Sequence, residues 1–353
     1  MNAPSFTFSP QQSVALKEIK TWLANPGRKP VFRLFGFAGT GKTSIAKYIA
    51  AEHGGTVEFA AFTGIAALNM AKAGCEGAKT IHKLIYRIRE LPDGGTRFEV
   101  SKSSAAANAD FIIIDECSMV GNTMARDLCS FKKPILVLGD PAQLPPIGGD
   151  GFFTRFKPDV MLTEIHRQAR DSEIIRFSEA VREGKSFTPS GTGEVRFCNA
   201  NRDWLLMMEA DQIIAGMNVS VSSFNHTTRY FRGWDSDIPQ TGERLVALRN
   251  DYDLGVLNGE QFVVIGDLGE GRFRETRRLK VRSLYNPDAE PVELEFFTDS
   301  LIPGPSKEEL FWCADNEVVP ARYAYAITAH KAQGSQWPHV AVYDESLSFG
   351  EDA

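Results

Sequence analysis

An α/β protein built on parallel sheets, with a small β-rich insertion in its second half, is the fold class this sequence predicts. Three observations carry the prediction. Short apolar runs alternate with segments of helical periodicity up to Gly139, and a glycine-rich turn separates the first of those runs from the helix after it. From about residue 242 to 319 the texture changes to short alternating segments, GERLVALRND, EQFVVIGDLG and VELEFFTDS, broken by Gly and Pro. Alternating strands and helices give a parallel sheet covered on both faces, whereas short alternating strands with frequent turns give a small barrel.

Residues 10–25, PQQSVALKEIKTWLAN, place Val14, Ala15, Ile19, Trp22 and Leu23 on one helical face, and Pro26-Gly27 should end that helix. Val31 to Phe35 reads as a buried strand, Gly36 to Gly41 as a tight loop, and the residues from about Lys42 to Glu52 as a helix. Val57 to Phe62 is a second strand and leads into a helix over Gly64 to Ala73. Two further strands, Phe111 to Ile114 and Pro134 to Leu138, end on Asp115-Glu116 and Gly139-Asp140. In a parallel sheet ligands gather at the carboxyl ends of strands, where these polar residues fall. Between them, residues 83–109 carry the turn signal Pro92-Asp93-Gly94-Gly95 and read as an inserted hairpin. A second α/β pattern starts near residue 170, with a helix over Ser172 to Glu183 and strands over Asp211 to Ala215, Val219 to Ser223 and Val340 to Tyr343. The expected layout is a first α/β domain over 1–169, a second over 170–241 and 320–353, and the β-rich insertion at 242–319.

Composition narrows the function classes. The chain has 353 residues, 43% of them hydrophobic, enough for more than one core. No window approaches the ~18 consecutive apolar residues of a membrane span, and the start MNAPSFTFSPQQ has no basic-then-apolar pattern, so a cytoplasmic location is expected. A net charge of −6 argues against coating nucleic acid through a global basic field but leaves room for a local groove. Cys75, Cys117, Cys129, Cys198 and Cys313 are scattered without a C-x-x-C pair and read as reduced packing residues.

The chemistry starts at Gly36-Phe37-Ala38-Gly39-Thr40-Gly41-Lys42-Thr43, which matches G-x-x-x-x-G-K-[ST] between a strand and a helix. Its glycines let backbone N–H groups approach a β-phosphate, Lys42 supplies charge to the β and γ phosphates, and Thr43 offers a hydroxyl to Mg²⁺. Asp115-Glu116 ends an apolar strand and can bring two carboxylates beside that loop, Asp115 for Mg²⁺ and Glu116 for the attacking water. Carboxylates at strand ends also serve as helix caps, the alternative for this pair.

The ordered segments GFAGTGKT (36–43), AFTGIAALNM (61–70), TIH (80–82), DECSM (115–119), GDPAQLPP (139–146), LTEIHRQ (162–168), LNGE (257–260) and AITAHKAQGSQW (326–337) resemble superfamily 1 DNA helicases of the RecD/Dda group. The resemblance spans nearly the whole chain. It implies two RecA-like domains with an SH3-like barrel in the second, ATP and Mg²⁺ as cofactors, and 5′-to-3′ movement on single-stranded DNA toward duplex junctions. By position it makes Gln12 the adenine contact, with adjacent Gln11 leaving the register open, Gln143 the γ-phosphate sensor and Arg167 a γ-phosphate contact. It places Thr63, Gly64, Thr80, His82, Thr328, His330, Lys331 and Ser335 on the DNA strand. Phe62 and Trp337 could stack on bases or belong to the core, and the cluster Arg272, Arg274, Arg277, Arg278 and Lys280 could guide a strand or be a solvated face. Family members continue past the AHKAQG segment into a Thr-Arg element, so the chain is expected to be truncated and its hydrolysis impaired. A monomer in a bacterial or phage-infected cell, working with a single-strand-binding protein or a replication or repair complex, fits the resemblance. The alternative is an ATP-switched DNA-binding subunit of a RecD-type complex without efficient motor activity of its own.

Overall fold

The computed structural model describes residues 8–346 with the exception of 28, 91–95, 147, 165–171, 192, 200–202, 252, 300 and 303. The chain forms two compact units, residues 1–197 and 198–353. The helix Glu173–Arg182 therefore groups with the first unit, later in the chain than the boundary expected at 169/170.

The first unit is built on strands β1 (Val31–Gly36), β2 (Val57–Ala61), β3 (Lys79–Thr80), β6 (Phe111–Asp115), β7 (Ile135–Gly139) and β8 (Val160–Leu162), with the hairpin β4 (Tyr86–Glu90) and β5 (Thr96–Val100) set apart. The six sheet strands run in the order β3-β2-β6-β7-β1-β8, every pair parallel. Because side chains alternate across a strand, the apolar runs line both faces. Phe32, Leu34, Phe111, Ile113, Leu136 and Leu138 pack on one side with α1 (Pro10–Ala24), α2 (Lys42–His53) and α3 (Gly64–Lys72). Val31, Phe35, Ile112, Ile114, Ile135 and Val137 pack on the other with α4 (Ile81–Ile85) and Phe153. Each such side chain contributes about 1.5–3 kcal/mol on burial, which sets a firm platform under the loops at the strand ends.

Helix α1 begins where the chemistry dictates. Pro10 occupies the first turn, the Ser9 hydroxyl accepts from the Gln12 N–H, and the Gln12 side chain accepts from the Ser9 N–H. The hairpin expected at 83–109 is present as β4 and β5, paired from Tyr86↔Val100 to Glu90↔Thr96.

In the second unit, β9 (Gln212–Ala215) lies between the parallel strands β15 (Ala326–Thr328) and β16 (Val340–Val342). Between β9 and β15 the chain makes the expected barrel, closed in the order β10 (Arg244–Ala247), β11 (Gln261–Glu270), β12 (Thr276–Ser283), β13 (Val292–Phe297) and β14 (Val319–Tyr323). β14 returns to pair with β10, so the barrel's two chain ends emerge side by side.

One expectation is overturned here. Val219 to Ser223 is helical, part of Asn218–Phe231. The Val-Ser-Val-Ser alternation imitates a strand over five residues, but burial follows helical spacing: Val221, Asn225 and Thr228 are buried while Val219 is exposed. The Glu345 carboxylate accepts from the Gly216 and Met217 N–H groups and from the Ser220 hydroxyl, tying the start of this helix to the segment after β16. Its far end is fixed by Arg229, which donates to Glu243 (Nε–Oε1 2.7 Å) and lies 4.1 Å from the Tyr323 ring centre.

Two cations of the arginine-rich stretch of the barrel are paired locally. Arg272 pairs with Glu295 at 2.7 Å and Arg277 with Asp267 at 2.5 Å, which favours the solvated-face reading. Phe62 packs against the first unit's core and Trp337 against Val246, Ala324 and Ile327, so both serve packing.

Candidate functional site

The loop after β1 turns sharply enough that Gly39 and Gly41 take φ of 74° and 80°, a region that favours glycine. Gly36 is held for a different reason. A Cβ there would lie 2.8 Å from Leu162 Cβ and from Thr40 Oγ1, and 2.9 Å from the Leu162 carbonyl. Gly36→Ala is accordingly expected to cost the first unit about 1–3 kcal/mol, read as a lowered urea midpoint; an unchanged midpoint would show that the loop is looser than its packing implies. The Thr40 hydroxyl donates to the Phe37 carbonyl at 2.8 Å and closes the loop.

Lys42 folds back on that loop, its ammonium donating to the Gly36 carbonyl at 2.6 Å and the Phe37 carbonyl at 3.0 Å. Burial pushes its pKa down, while the charges of Asp115, Asp140 and Glu116 oppose the shift. Next to it, the Thr43 hydroxyl donates to Asp115 Oδ2 at 3.1 Å, and the Glu116 N–H donates to Asp115 Oδ1 at 2.8 Å. Burial pushes the Asp115 carboxyl up despite those hydrogen bonds and Lys42. Glu116 is a non-glycine residue at φ 52°, a strained left-handed conformation. Burial, reinforced by the Asp115 charge, raises its carboxyl to about 7, and a hydrogen bond from Gln143 counteracts this in part. Gln143 in turn accepts from the Ser118 hydroxyl at 3.4 Å.

The structure thus brings Lys42, Thr43, Asp115, Glu116 and Gln143 to one edge of one sheet. Thr43 and Asp115 offer hard oxygen ligands, and among the described residues no cluster of three or more His, Cys, Asp or Glu side chains could hold a metal alone.

Gln12 is 3% exposed and its amide donates to the Thr40 carbonyl at 3.0 Å, directly supporting the phosphate loop. Gln11 faces elsewhere, accepting from the Thr163 and Glu164 N–H groups at 2.8 and 2.9 Å. Arg167 lies outside the described residues. One residue that the motifs did not single out also meets the loop: Arg182 pairs with buried Asp140, which follows β7, at 2.6 Å and stacks 3.9 Å from the Phe37 ring centre. Nothing in the sequence around Arg182 signalled it.

Three of the expected strand contacts share one local device. Thr80 and Thr328 end a strand, Thr63 comes two residues after one, and each caps a helix, their hydroxyls accepting from the N–H groups of Lys83, Lys331 and Ala66. Gly64 opens the helix that Thr63 caps. His82 packs 5.6 Å from the rings of both Tyr86 and Phe98, and burial lowers its pKa. In the second unit, His330 and Lys331 sit on the short helix after β15, and the Ser335 hydroxyl is 3.1 Å from that of Tyr285 in the barrel.

The AAA domain family matches residues 8–194, more than half of the sequence. The chain belongs to this family. An ATP-dependent RecD2 DNA helicase of Deinococcus radiodurans is 27% identical to it over 337 residues, covering 86% of this chain and 41% of its own length. An uncharacterised protein of Acanthamoeba polyphaga mimivirus is 27% identical over 168 residues, 34% of its length. The chain therefore spans well under half of the curated relatives it matches. Among solved structures, two coordinating Pif1 helicases at forked double-stranded DNA give a TM-score of 0.57 at 19% identity, over 96% of this chain and 86% of theirs. Bacteroides Pif1 bound to single-stranded DNA gives 0.55 at 20% identity, over 96% and 86%. The fold of this AAA domain protein is that of the RecD/Pif1-like superfamily 1 helicases, with the RecA-like parallel sheet and barrel the sequence led us to expect.

Proposed function

We propose that the chain is the motor region of an ATP-dependent DNA helicase that moves 5′ to 3′ along single-stranded DNA. The observation that carries this reading is the grouping of Lys42, Thr43, Asp115, Glu116 and Gln143 on one sheet edge, which supplies each part of a phosphoryl-transfer site. The first unit is one motor lobe; in the second unit the sheet of β9, β15 and β16 belongs to the other lobe, and β10 to β14 are the barrel inserted in it.

Lys42 exchanges the Gly36 and Phe37 carbonyls for the β and γ phosphates of ATP, which bind in the cradle of backbone N–H groups. Thr43 and Asp115 would hold Mg²⁺, which would supply positive charge against the phosphates. Glu116 accepts the proton of the attacking water at its carboxylate, a role suited by a pKa near 7. Gln143 hydrogen-bonds to that carboxylate and is placed to report the γ-phosphate to the strand-gripping residues. Gln12 supports the loop from the adenine side, and Arg167 adds positive charge at the γ-phosphate. Thr63, Gly64, Thr80 and His82 in the first unit, and Thr328, His330, Lys331 and Ser335 in the second, hold the strand through hydroxyls, amides and charges that read no sequence.

The test is ATP turnover with and without single-stranded DNA, paired with strand displacement on duplexes carrying a 5′ or a 3′ tail. Strong DNA stimulation and unwinding from the 5′ tail are expected. ATP and DNA binding with no stimulation would replace the motor by an ATP-switched DNA-binding subunit.

A further inference from the structure

Among the described residues of the second unit two arginines are buried, and the first, Arg229, is matched by the acid Glu243. Arg322 breaks that pattern. It lies on β14, is 6% exposed, and is anchored only by neutral oxygens: Nη1 donates to Asn218 Oδ1 at 3.2 Å and Nη2 to Ser222 Oγ at 2.9 Å. Its buried Nε has no hydrogen-bond partner. Gly304, with φ of 106°, lies against that nitrogen, and a Cβ there would sit 3.4 Å from it. The Arg322 charge acts on a second cation, Lys331 of the short helix after β15, which no carboxylate pairs with among the described residues.

A buried guanidinium without an acid, with a half-buried ammonium acting on it, costs several kcal/mol, and a role in packing alone would be served by a neutral side chain. We propose that Arg322 and Lys331 together form a pocket for one phosphodiester group of a nucleic-acid strand, with Arg322 orienting the phosphate through its free Nε–H and Lys331 supplying a second charge. The anchoring of both Nη groups holds the guanidinium plane fixed before the phosphate arrives, which is the geometry that favours a planar fork over a flexible ammonium. Burial, aided by Arg322, depresses the Lys331 ammonium to about 8, the shift expected of a cation whose counter-ion is a ligand. The choice of a phosphodiester over free phosphate rests on the reading that the chain grips a single strand.

The experiment is fluorescence anisotropy of a labelled oligo-dT across a salt series, without nucleotide, on the wild type, Arg322→Gln, Arg322→Lys and Lys331→Gln, with thermal melts of each in the presence and absence of inorganic phosphate. Arg322→Gln is expected to weaken low-salt binding by about 10-fold, and to flatten the log K against log salt slope by about 0.7, the share of one phosphate on a single strand. Lys331→Gln should flatten the slope similarly, while Arg322→Lys keeps the slope and loses part of the affinity. Unchanged slopes in both glutamine variants overturn the pocket, whatever the affinity, because lost packing does not release counter-ions. If Arg322→Gln does not fold, Lys331→Gln carries the slope test alone. Phosphate that raises the wild-type melting temperature but not that of Arg322→Gln, with slopes unchanged, would overturn the strand as ligand in favour of free phosphate. A wild type that binds no oligo-dT would instead sink the helicase reading.

Discussion

Glu116→Gln is expected to lower ATP turnover by about 10²–10⁴-fold while nucleotide affinity stays within a few-fold of wild type. The substitution keeps the shape and the strained backbone but removes the carboxylate that burial and Asp115 have raised to about 7. An amide cannot take a proton from water. Lys42→Ala should differ in kind, losing affinity for the triphosphate together with turnover, because its ammonium is the charge that faces the β and γ phosphates. Turnover and nucleotide binding, measured on the same samples, separate the two. Glu116→Gln turning over within about tenfold of wild type would remove Glu116 from the role of base.

The largest effect on stability is expected at Arg229. Its partner Glu243 is fully buried, accepts a second hydrogen bond from the Gln240 N–H at 2.8 Å, and has no water to turn to when the guanidinium is removed. Arg229→Ala should cost the second unit about 3–5 kcal/mol, since it strands a buried charge and also strips the Tyr323 ring of its cover. Replacing both partners, Arg229→Met with Glu243→Leu, should recover most of that loss. Urea unfolding of the three variants decides the matter. A single-variant loss below about 1 kcal/mol would show that the pair is solvated in solution.

Much of this molecule could be read in advance because its signals are local. The phosphate loop spans eight consecutive residues, and the strands ending at Gly36, Asp115 and Gly139 are apolar on both faces, so neither needs knowledge of the rest of the fold. β8 went unnoticed because a three-residue edge strand has no period to detect. The helix Asn218–Phe231 was misread over Val219 to Ser223 because five residues cannot distinguish alternation from a helical face; Asn225 and Thr228, further on, settle it. The remaining gaps are tertiary. Arg182 meets Asp140 across 42 residues and Arg322 meets Asn218 across 104, and nothing in either neighbourhood marks the arginine as more than a surface cation. Residues that act through distant neighbours leave their trace in burial and in partners, which appear only when the chain is folded.

The side-by-side ends of the barrel also bear on how the second unit assembles. β9 waits for partners that follow it by more than a hundred residues, and closing so long a loop directly would be slow. A barrel that closes first, through β10 and β14, converts most of that loop into a fixed knot and returns the chain within three residues of β15. The closure entropy left for the β9–β15 pairing then falls by about 1 kcal/mol, so the insertion works as an internal chaperone for the small sheet that surrounds it.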